Sequence, residues 1–532
     1  MQRVVYSTDI QKNIFIDDVN IDRLLGNVVL NHNNIVMTCD SAYRFPNDKF
    51  EAYSNVVLIN GSTTVTGDKM VYDGPNNLAQ VRGHIVYLID SATTLRTTAI
   101  DYNTRDKIGF FENEGTIKNV QSLLESKQGY YHSKTKDFTF IGNVESETEN
   151  YTLKSDSMKY NTDTEIFDFY RNTHIWSKNS YLYCDNGWYD SKNEVMFFKK
   201  NSFLLSEKQE VWADSIYYES YTKQGKLYRN IQLLDTMQNS IAFGDLSDFN
   251  METQDFEITL DPSMIFYSKD QTEDTLYLRA NRLKSVLSKR PAERLKVDSI
   301  TGNVDSTFHE MFGLQNVRIF RNDVQAACDS LYFGTLDSIW KMYYSPIIWN
   351  GEKMQLTGDT IKFYMLNGKM NRAEFENNSM IIMPESDTSE YYNQIKGKNM
   401  IGRFQNNELQ RLDIYGNVQS IFFSSDEQVM IPHEAGTMAI IFKDRKIRRM
   451  GYYTKPTSKT IPLFMTEKEQ HLLKGFIWHS DKRPKSKDDI STRIIRPSKR
   501  AEVDMVEHPV FPITMRIDIL EEQKEKPETP TQ

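Results

Sequence analysis

The sequence predicts an all-β repeat protein, in which units of 29 residues stack by strand pairing into a solenoid around one continuous core. Asparagines and aspartates recur at this step, and each asparagine stands thirteen residues before its aspartate. The most regular members are Asn143, Asn172, Asn201, Asp156, Asp185 and Asp214. Tyr and Phe number 29 each, whereas Gly and Pro number only 24 and 15. Abundant aromatic residues with few chain breakers favour strands.

The recurrent aspartates are predicted to be structural corners. Apolar residues alternate on both sides of each aspartate, and they can all face inward only if the strand changes phase there. A bulge would supply that change, and aspartate suits it because its carboxylate accepts backbone N–H groups. The asparagine is then expected at the start of the strand. The corner residues are Asp40, Asp68, Asp156, Asp185, Asp214 and Asp329.

The positions two and four residues after the aspartates are predicted to face the interior. This inward set comprises Met70, Tyr72, Met158, Tyr160, Ile216, Tyr218, Leu331 and Phe333. Open strand edges are expected at both ends of the stack, where another sheet could pair.

Three regions are expected along the chain. Regular repeats fill residues 1–250, and irregular repeats with an insertion near 284–294 fill residues 251–455. Residues 456–532 contain eight of the fifteen prolines and predict a Pro-rich, partly basic, largely disordered tail. The basic part of the tail, 481–500, could touch anionic lipid headgroups, although a solvated charged tail is the simpler interpretation.

No residue pattern indicates enzyme chemistry, a cofactor or a metal. The chain lacks a nucleophile elbow, a phosphate-binding loop and paired cysteines. Cys39, Cys184 and Cys328 each precede a residue of the aspartate series and are interpreted as small core residues. The net charge of −9, with both signs interspersed, does not suggest nucleic acid as a partner. The aspartates could instead form a row of catalytic or calcium-binding carboxylates, but convergent partners are not evident.

Two kinds of motif resemble the OstA-like (organic solvent tolerance) family. One is the Gly-Asn-Val that begins at Gly26, Gly142, Gly302 and Gly416. The other is the second element of the repeat, Ser-Asp-Ser-Met-Lys-Tyr160 or Ala-Asp-Ser-Ile-Tyr-Tyr218. The family includes the lipopolysaccharide-transport protein LptA and the N-terminal domain of LptD, and the likeness is closest to the long OstA-like proteins of Bacteroidetes.

The resemblance implies a twisted β-jellyroll, open at both ends, whose interior holds the acyl chains of lipid A. The inward set would line that interior, and other transport components would join through strand edges. The implied place is the periplasm, with a possible association with the outer membrane. Since no secretory signal precedes the first repeat, this location presumes processing or truncation.

Two alternatives remain open at this point. The inward set could fill a dry core, in which case the protein would be a structural scaffold that acts through its edges or tail. A β-helical carbohydrate-active enzyme is the third hypothesis. A groove lined by the inward set favours transport, whereas a packed interior favours a scaffold.

Overall fold

The structure is a computed structural model that divides the chain into two compact units. Unit 1 comprises Met1–Glu207, Asp214–Thr222 and Ser498–Gln532, and unit 2 comprises Lys208–Ala213 and Lys223–Pro497. These boundaries differ from the expected division at residues 250 and 455. The structure describes residues 3–509 except 17–18, 92, 119–121, 149–150, 237–238, 268–274, 298–303, 351–352, 367–368, 387–388, 406–407, 425, 427 and 444–445.

Unit 1 consists of antiparallel strands, most of them 11 to 14 residues long. They are β1 (Val5–Ser7), β2 (Ile10–Ile16), β3 (Val19–His32), β4 (Ile35–Phe45), β5 (Lys49–Asn60), β6 (Thr63–Asp73), β7 (Leu78–Asp90), β8 (Thr93–Asn103), β9 (Ile108–Phe111), β10 (Gly115–Lys118), β11 (Ser122–Ser126), β12 (Gln128–His132), β13 (Asp137–Thr148), β14 (Tyr151–Asn161), β15 (Ile166–Ser177), β16 (Ser180–Asp190) and β17 (Val195–Ser206). Strand β18 (Gln209–Glu219) contributes residues to both units. A 3₁₀ turn at Pro46–Asp48 and a short helix, α1 (Arg500–Val503), complete the unit.

Unit 2 repeats the same antiparallel design with several shorter strands. They are β19 (Gln224–Asp235), β20 (Ser240–Asn250), β21 (Asp255–Thr259), β22 (Ser263–Phe266), β23 (Leu276–Arg279), β24 (Arg282–Lys289), β25 (Lys296–Val297), β26 (Val304–Asp305), β27 (Thr307–Phe320), β28 (Gln325–Gly334), β29 (Ile339–Tyr343), β30 (Ile347–Asn350), β31 (Met354–Thr357), β32 (Thr360–Leu366), β33 (Lys369–Pro384), β34 (Tyr392–Gln405), β35 (Glu408–Ser424), β36 (Val429–Lys443), β37 (Lys446–Tyr453), β38 (Thr457–Ser458) and β39 (Ile461–Pro462). Its 3₁₀ turns are Ala292–Arg294, Leu463–Met465, Lys468–His471, Ser480–Lys482 and Lys487–Asp489. The predicted all-β repetitive jellyroll class is confirmed.

Most of the long strands bend in the middle, and the bend lies at the asparagine. In the pair β13–β14 the register shifts between Ile141 and Val144, and Gly142 and Asn143 have φ of 79° and 48°. Glycine and asparagine are the residues that best tolerate this left-handed conformation, so a bulge forms there. The asparagine is therefore at the corner, and its expected place at the start of the strand was wrong. Equivalent left-handed asparagines are Asn27, Asn55, Asn172, Asn201, Asn230, Asn316, Asn378 and Asn417.

Each bend divides a strand pair into two arms. The short-turn arm ends at tight hairpins such as the one between β3 and β4, and the long-turn arm ends at four-residue turns such as the one at 74–77 between β6 and β7. In unit 2 the inner faces of both arms meet in one apolar core. For example, Met264 on a short-turn arm and Leu283 on a long-turn arm belong to the same buried cluster. The interior between the arms is the place where a site could form.

The C-terminal segment differs from the expected largely disordered tail. Residues 457–497, called the strap below, lie within unit 2, and residues 498–509 lie within unit 1. The strap buries Leu463 beside Ile421, Phe423 and Met430. Apolar burial offsets the chain entropy that would otherwise leave a Pro-rich segment unstructured. Residues 510–532 of the expected tail lie outside the described residues.

Candidate functional site

The inward set predicted from the sequence lies on the inner faces of the arms. Met70 and Tyr72 are fully buried, and Met158, Tyr160, Ile216 and Leu331 are at most 6% exposed. Tyr218 and Phe333 are half-buried. Their contact with a lipid remains a prediction.

The interior of unit 2 is closely packed. One cavity lies between its arms, with a volume of about 20 Å³, and Met264, Phe256, Leu331, Phe333 and Trp340 are among its lining residues. A cavity of this size has room for about one water molecule. An acyl chain could enter this part of the interior only if the arms moved apart or the side chains repacked.

The corner aspartates bind the asparagine of the neighbouring strand, which follows them by fifteen or sixteen residues. The Nδ2 of Asn55 donates to Asp40 at 2.8 Å. The same bond joins Asn172 to Asp156 and Asn201 to Asp185, at 3.0 and 2.7 Å. The pairing explains why both residue types share one period, because each corner stabilises the next.

The remaining corner aspartates have other surroundings. Asp68 accepts the backbone N–H of His84 at 2.7 Å, and Asp329 accepts the hydroxyl of Ser330 at 2.8 Å. Asp214 lies at the equivalent position of β18 and is half-buried. The described residues contain no group of three or more His, Cys, Asp or Glu side chains placed to hold a metal ion.

The two arms of unit 1 meet along a line of polar contacts, called the seam below. His32 at the end of a short-turn arm lies 2.5 Å, Nδ1 to Oη, from Tyr72 of a long-turn arm. Asn60 donates to the backbone oxygen of Thr104 at 2.8 Å, and the hydroxyls of Thr63 and Ser133 are 2.6 Å apart. Further along, the rings of Tyr151 and Tyr189 make an edge-on contact at 6.1 Å between centroids.

Asp90 is the most strongly bound group of the seam. Its carboxylate accepts hydrogen bonds from Lys136 at 2.8 Å, Tyr131 at 2.5 Å and Thr63 at 3.1 Å. Burial by itself would raise the pKa of Asp90, but the bonds from Lys136 and Tyr131 outweigh it and lower the pKa to about 2. Asp90 is therefore ionised at neutral pH and holds the two arms of this part of unit 1 together.

Sequence reasoning missed the seam residues, although part of their pattern repeats. Thr104, Ser133, Thr162, Ser191 and Ser220 stand 29 residues apart, at the four-residue turns of the long-turn arm. The backbone N–H of each donates to a carbonyl of the preceding four-residue turn, for example Ser133 to Lys107 at 3.0 Å. The period was visible in the sequence, but the partners of Thr104 and Ser133 across the seam, Asn60 and Thr63, were not.

The strap is held by carboxamide side chains that no sequence pattern singles out. Gln394 donates to the backbone oxygen of His471 and accepts the N–H of Leu473, both at 2.8 Å. Such a carboxamide satisfies one backbone C=O and one backbone N–H of the strap, as the peptide group of a neighbouring strand would. We call each such glutamine with its two hydrogen bonds a clamp. The other two clamps join Gln355 to Ile477 and His479, and Gln232 to both backbone groups of Arg496.

An ion pair adds to these clamps. Both terminal nitrogens of Arg493 donate to Asp245, at 3.0 and 2.7 Å, and one also reaches Asp261 at 3.3 Å. Bonds from Arg493 lower the pKa of the Asp245 carboxyl. The two-pronged geometry fixes the direction of the strap as well as its position.

The three cysteines are buried and free. Burial raises the pKa of Cys39 to about 11 and the pKa of Cys184 and Cys328 to about 12. A thiol is nucleophilic only when ionised, so these three are unreactive at neutral pH. In the described part of the chain, helices of the length and apolarity that a membrane crossing requires are not found.

Bent strands, a buried apolar interior and a polar seam together define a repetitive all-β protein of the jellyroll type. The family model described as OstA-like protein matches residues 3–156. The predicted resemblance to the OstA-like family is thereby confirmed, and these residues carry it.

A similar solved structure is LptH of Pseudomonas aeruginosa, the LptA-homologous periplasmic component of a lipopolysaccharide transport device. It is 14% identical, with a TM-score of 0.14, and the match covers 32% of this chain and 83% of LptH. No curated protein matches the chain.

Proposed function

We propose that this chain is a non-enzymatic protein that binds lipopolysaccharide through the acyl chains of lipid A and carries it across the periplasm toward the outer membrane. The observation that supports this most directly is an interior lined by apolar side chains and closed, in unit 1, by a polar seam. The match of residues 3–156 to the OstA-like family agrees with this role.

The seam offers a route by which the interior could open. Hydrogen bonds between neutral side chains contribute only about 0.5–1.5 kcal/mol each, because water can replace either partner, and those to the ionised Asp90 about 1.5–3 kcal/mol. The strand ladders are held by many backbone hydrogen bonds, and at each bend the chain itself joins the two arms. Neither connection can separate so easily. Each CH₂ group sheltered from water would return about 0.8 kcal/mol, so several acyl chains could offset the opened seam.

Partners are proposed to join through strand edges. Strand β2 pairs along β3, and strand β37 pairs along β36. Their other sides are suited to receive strands of further transport components. The exposed side chains of Phe15 at 76% and Met450 at 40% would be covered by such pairing.

Photo-crosslinking in cells tests the binding proposal. Photoreactive residues at Met158 and Ile216 are expected to give lipopolysaccharide adducts, because both side chains face the interior. Tyr170, which is 43% exposed on the strand beside Met158, is the matched control and should give none. Absence of adducts at both inward positions would reject the proposal.

A structural scaffold is the second candidate, and the close packing of unit 2 favours it. On that interpretation the inward set is a permanent core, and the seam never opens. The two candidates differ in whether the function of the protein depends on movement of the arms.

A further inference from the structure

The strap presents large apolar side chains to solvent. Phe464 is 82% exposed, Met465 68%, Ile477 57% and Ile494 88%. Single exposed apolar residues are common, but this one segment carries six of them, because Leu472 and Ile495 are exposed as well. The backbone of Ile477 is held by Gln355, so its exposed side chain belongs to an ordered segment.

The same segment is basic in an otherwise acidic protein. Between Lys455 and Arg500 the chain has twelve lysines and arginines against five aspartates and glutamates, although the net charge of the whole chain is −9. Arg493 is engaged by Asp245. The side chains of Lys482, Lys485 and Lys487 are exposed in the same segment as the apolar residues.

We propose that the outer face of the strap is a docking surface for an anionic phospholipid bilayer. Exposed aromatic and aliphatic side chains enter the headgroup region of a bilayer, while neighbouring lysines contact the lipid phosphates. The clamps of Gln232, Gln355 and Gln394 order the strap in advance, so little entropy is lost on docking. Charge complementarity favours an anionic membrane over a neutral one. The inference is independent of lipid binding in the interior.

Vesicle co-sedimentation of the full chain tests this surface. The protein is expected to bind vesicles of phosphatidylethanolamine and phosphatidylglycerol at a 3:1 ratio, as a chosen probe, at least tenfold more strongly than phosphatidylcholine vesicles, with added salt weakening the binding. The triple variant Phe464→Ser, Met465→Ser, Ile494→Ser should reduce binding about tenfold or more. The variant Lys482→Glu, Lys485→Glu, Lys487→Glu should do the same by removing the charge attraction.

Tyr344→Ser with Leu366→Ser is the matched control, since these side chains of unit 2 are 72% and 61% exposed outside the strap. The control should bind as the unaltered protein does, and all variants should keep its thermal transition. Failure of the unaltered protein to bind anionic vesicles would overturn the proposal, and a protein partner would then be the better explanation of the surface. Equal losses in the control and the strap variants would overturn it too. Crosslinking from Met158 reports on the interior separately, so either proposal can fail alone.

Discussion

At the residue scale, the polar residues of this protein hold bent strands in place. Asparagine adopts the left-handed corner and donates to the aspartate of the neighbouring strand, as Asn55 does to Asp40. Asp90 has a similar role at the seam, where it accepts hydrogen bonds from Lys136 and Tyr131 of the other arm. A carboxylate is useful in both places because it accepts several hydrogen bonds at once.

Replacing Asp90 by asparagine should destabilise unit 1 in a pH-dependent way. Because the folded pKa of Asp90 lies at about 2, below its ordinary value of 3.8, the ionised carboxylate stabilises the fold at pH values above about 4. That contribution, about 1–2 kcal/mol at neutral pH, is lost as the pH falls toward 2. Chemical denaturation of both proteins at pH 7, 4 and 2.5 should show the gap closing between the last two values.

The control for this prediction is Asp101→Asn. Asp101 pairs with Arg82 at a more exposed position, so its replacement should change the unfolding free energy by less than about 1 kcal/mol. A gap for Asp90→Asn that stays constant from pH 7 to 2.5 would show that the ionised carboxylate is not responsible.

At the scale of single elements, the strap behaves like an added strand that binds through side chains. Ordinary strands pair backbone to backbone, whereas the strap is paired with Gln232, Gln355 and Gln394, which are nearly completely buried. Each of these carboxamides has one donor and one acceptor engaged by the strap. Since a buried polar group without a partner is costly, loss of one clamp should affect the strap more than the sheet beneath it.

Gln355→Leu is predicted to loosen the strap locally. The change leaves the carbonyl of Ile477 and the N–H of His479 without their partner, at a cost of about 1–3 kcal/mol. Hydrogen exchange of residues 472–482 should become faster, and protease cleavage there should increase.

Gln325→Leu provides the comparison, because this glutamine is 4% exposed but donates to its own loop at Arg321 and Asn322. It should lower stability without faster exchange in the strap. Equal strap exchange in both variants would show that the strap is held mainly by its apolar contacts, such as those of Leu463 with Ile421 and Phe423.

At the scale of the whole molecule, transport and scaffold functions differ in whether the arms separate. The described interior of unit 2 has room for about one water molecule at its cavity, so lipid binding there requires movement. In unit 1 the seam is the weakest connection between the arms, because it consists of side-chain contacts and not of a strand ladder. Locking the seam therefore asks directly whether movement is needed.

A disulfide across the seam should block lipid loading if the transport proposal holds. Thr63→Cys with Ser133→Cys places two thiols where hydroxyls lie 2.6 Å apart. The oxidised protein should give at least tenfold fewer adducts from a photoreactive residue at Met70, and reduction should restore them. The single variant Thr63→Cys controls for the loss of the hydroxyl. Unchanged adducts in the locked protein would place the route of loading elsewhere, for example at the strand edges.

Sequence alone determined the repeat, the strands and the inward set. Period-2 alternation and the 29-residue step can both be read from the order of residues along the chain. The burial of Met70, Tyr72 and Met158 follows from them. The asparagine position was misjudged because a bulge within a strand and the start of a new strand both shift the phase of the apolar alternation, so the sequence pattern does not distinguish them. The mutual bond between Asn55 and Asp40 joins two strands and becomes visible only when they pair.

Only the tertiary structure decided how the two arms close and where the C-terminal segment lies. Asp90 contacts Lys136 and Tyr131 because segments more than forty residues apart come together in the fold. No local sequence pattern predicts that contact. The strap looked like part of a disordered tail because residues 456–532 contain eight of the fifteen prolines and a basic stretch at 481–500. Its order comes from partners far along the chain, such as Gln232 for Arg496, whose buried carboxamides supply the hydrogen bonds that the segment cannot make by itself.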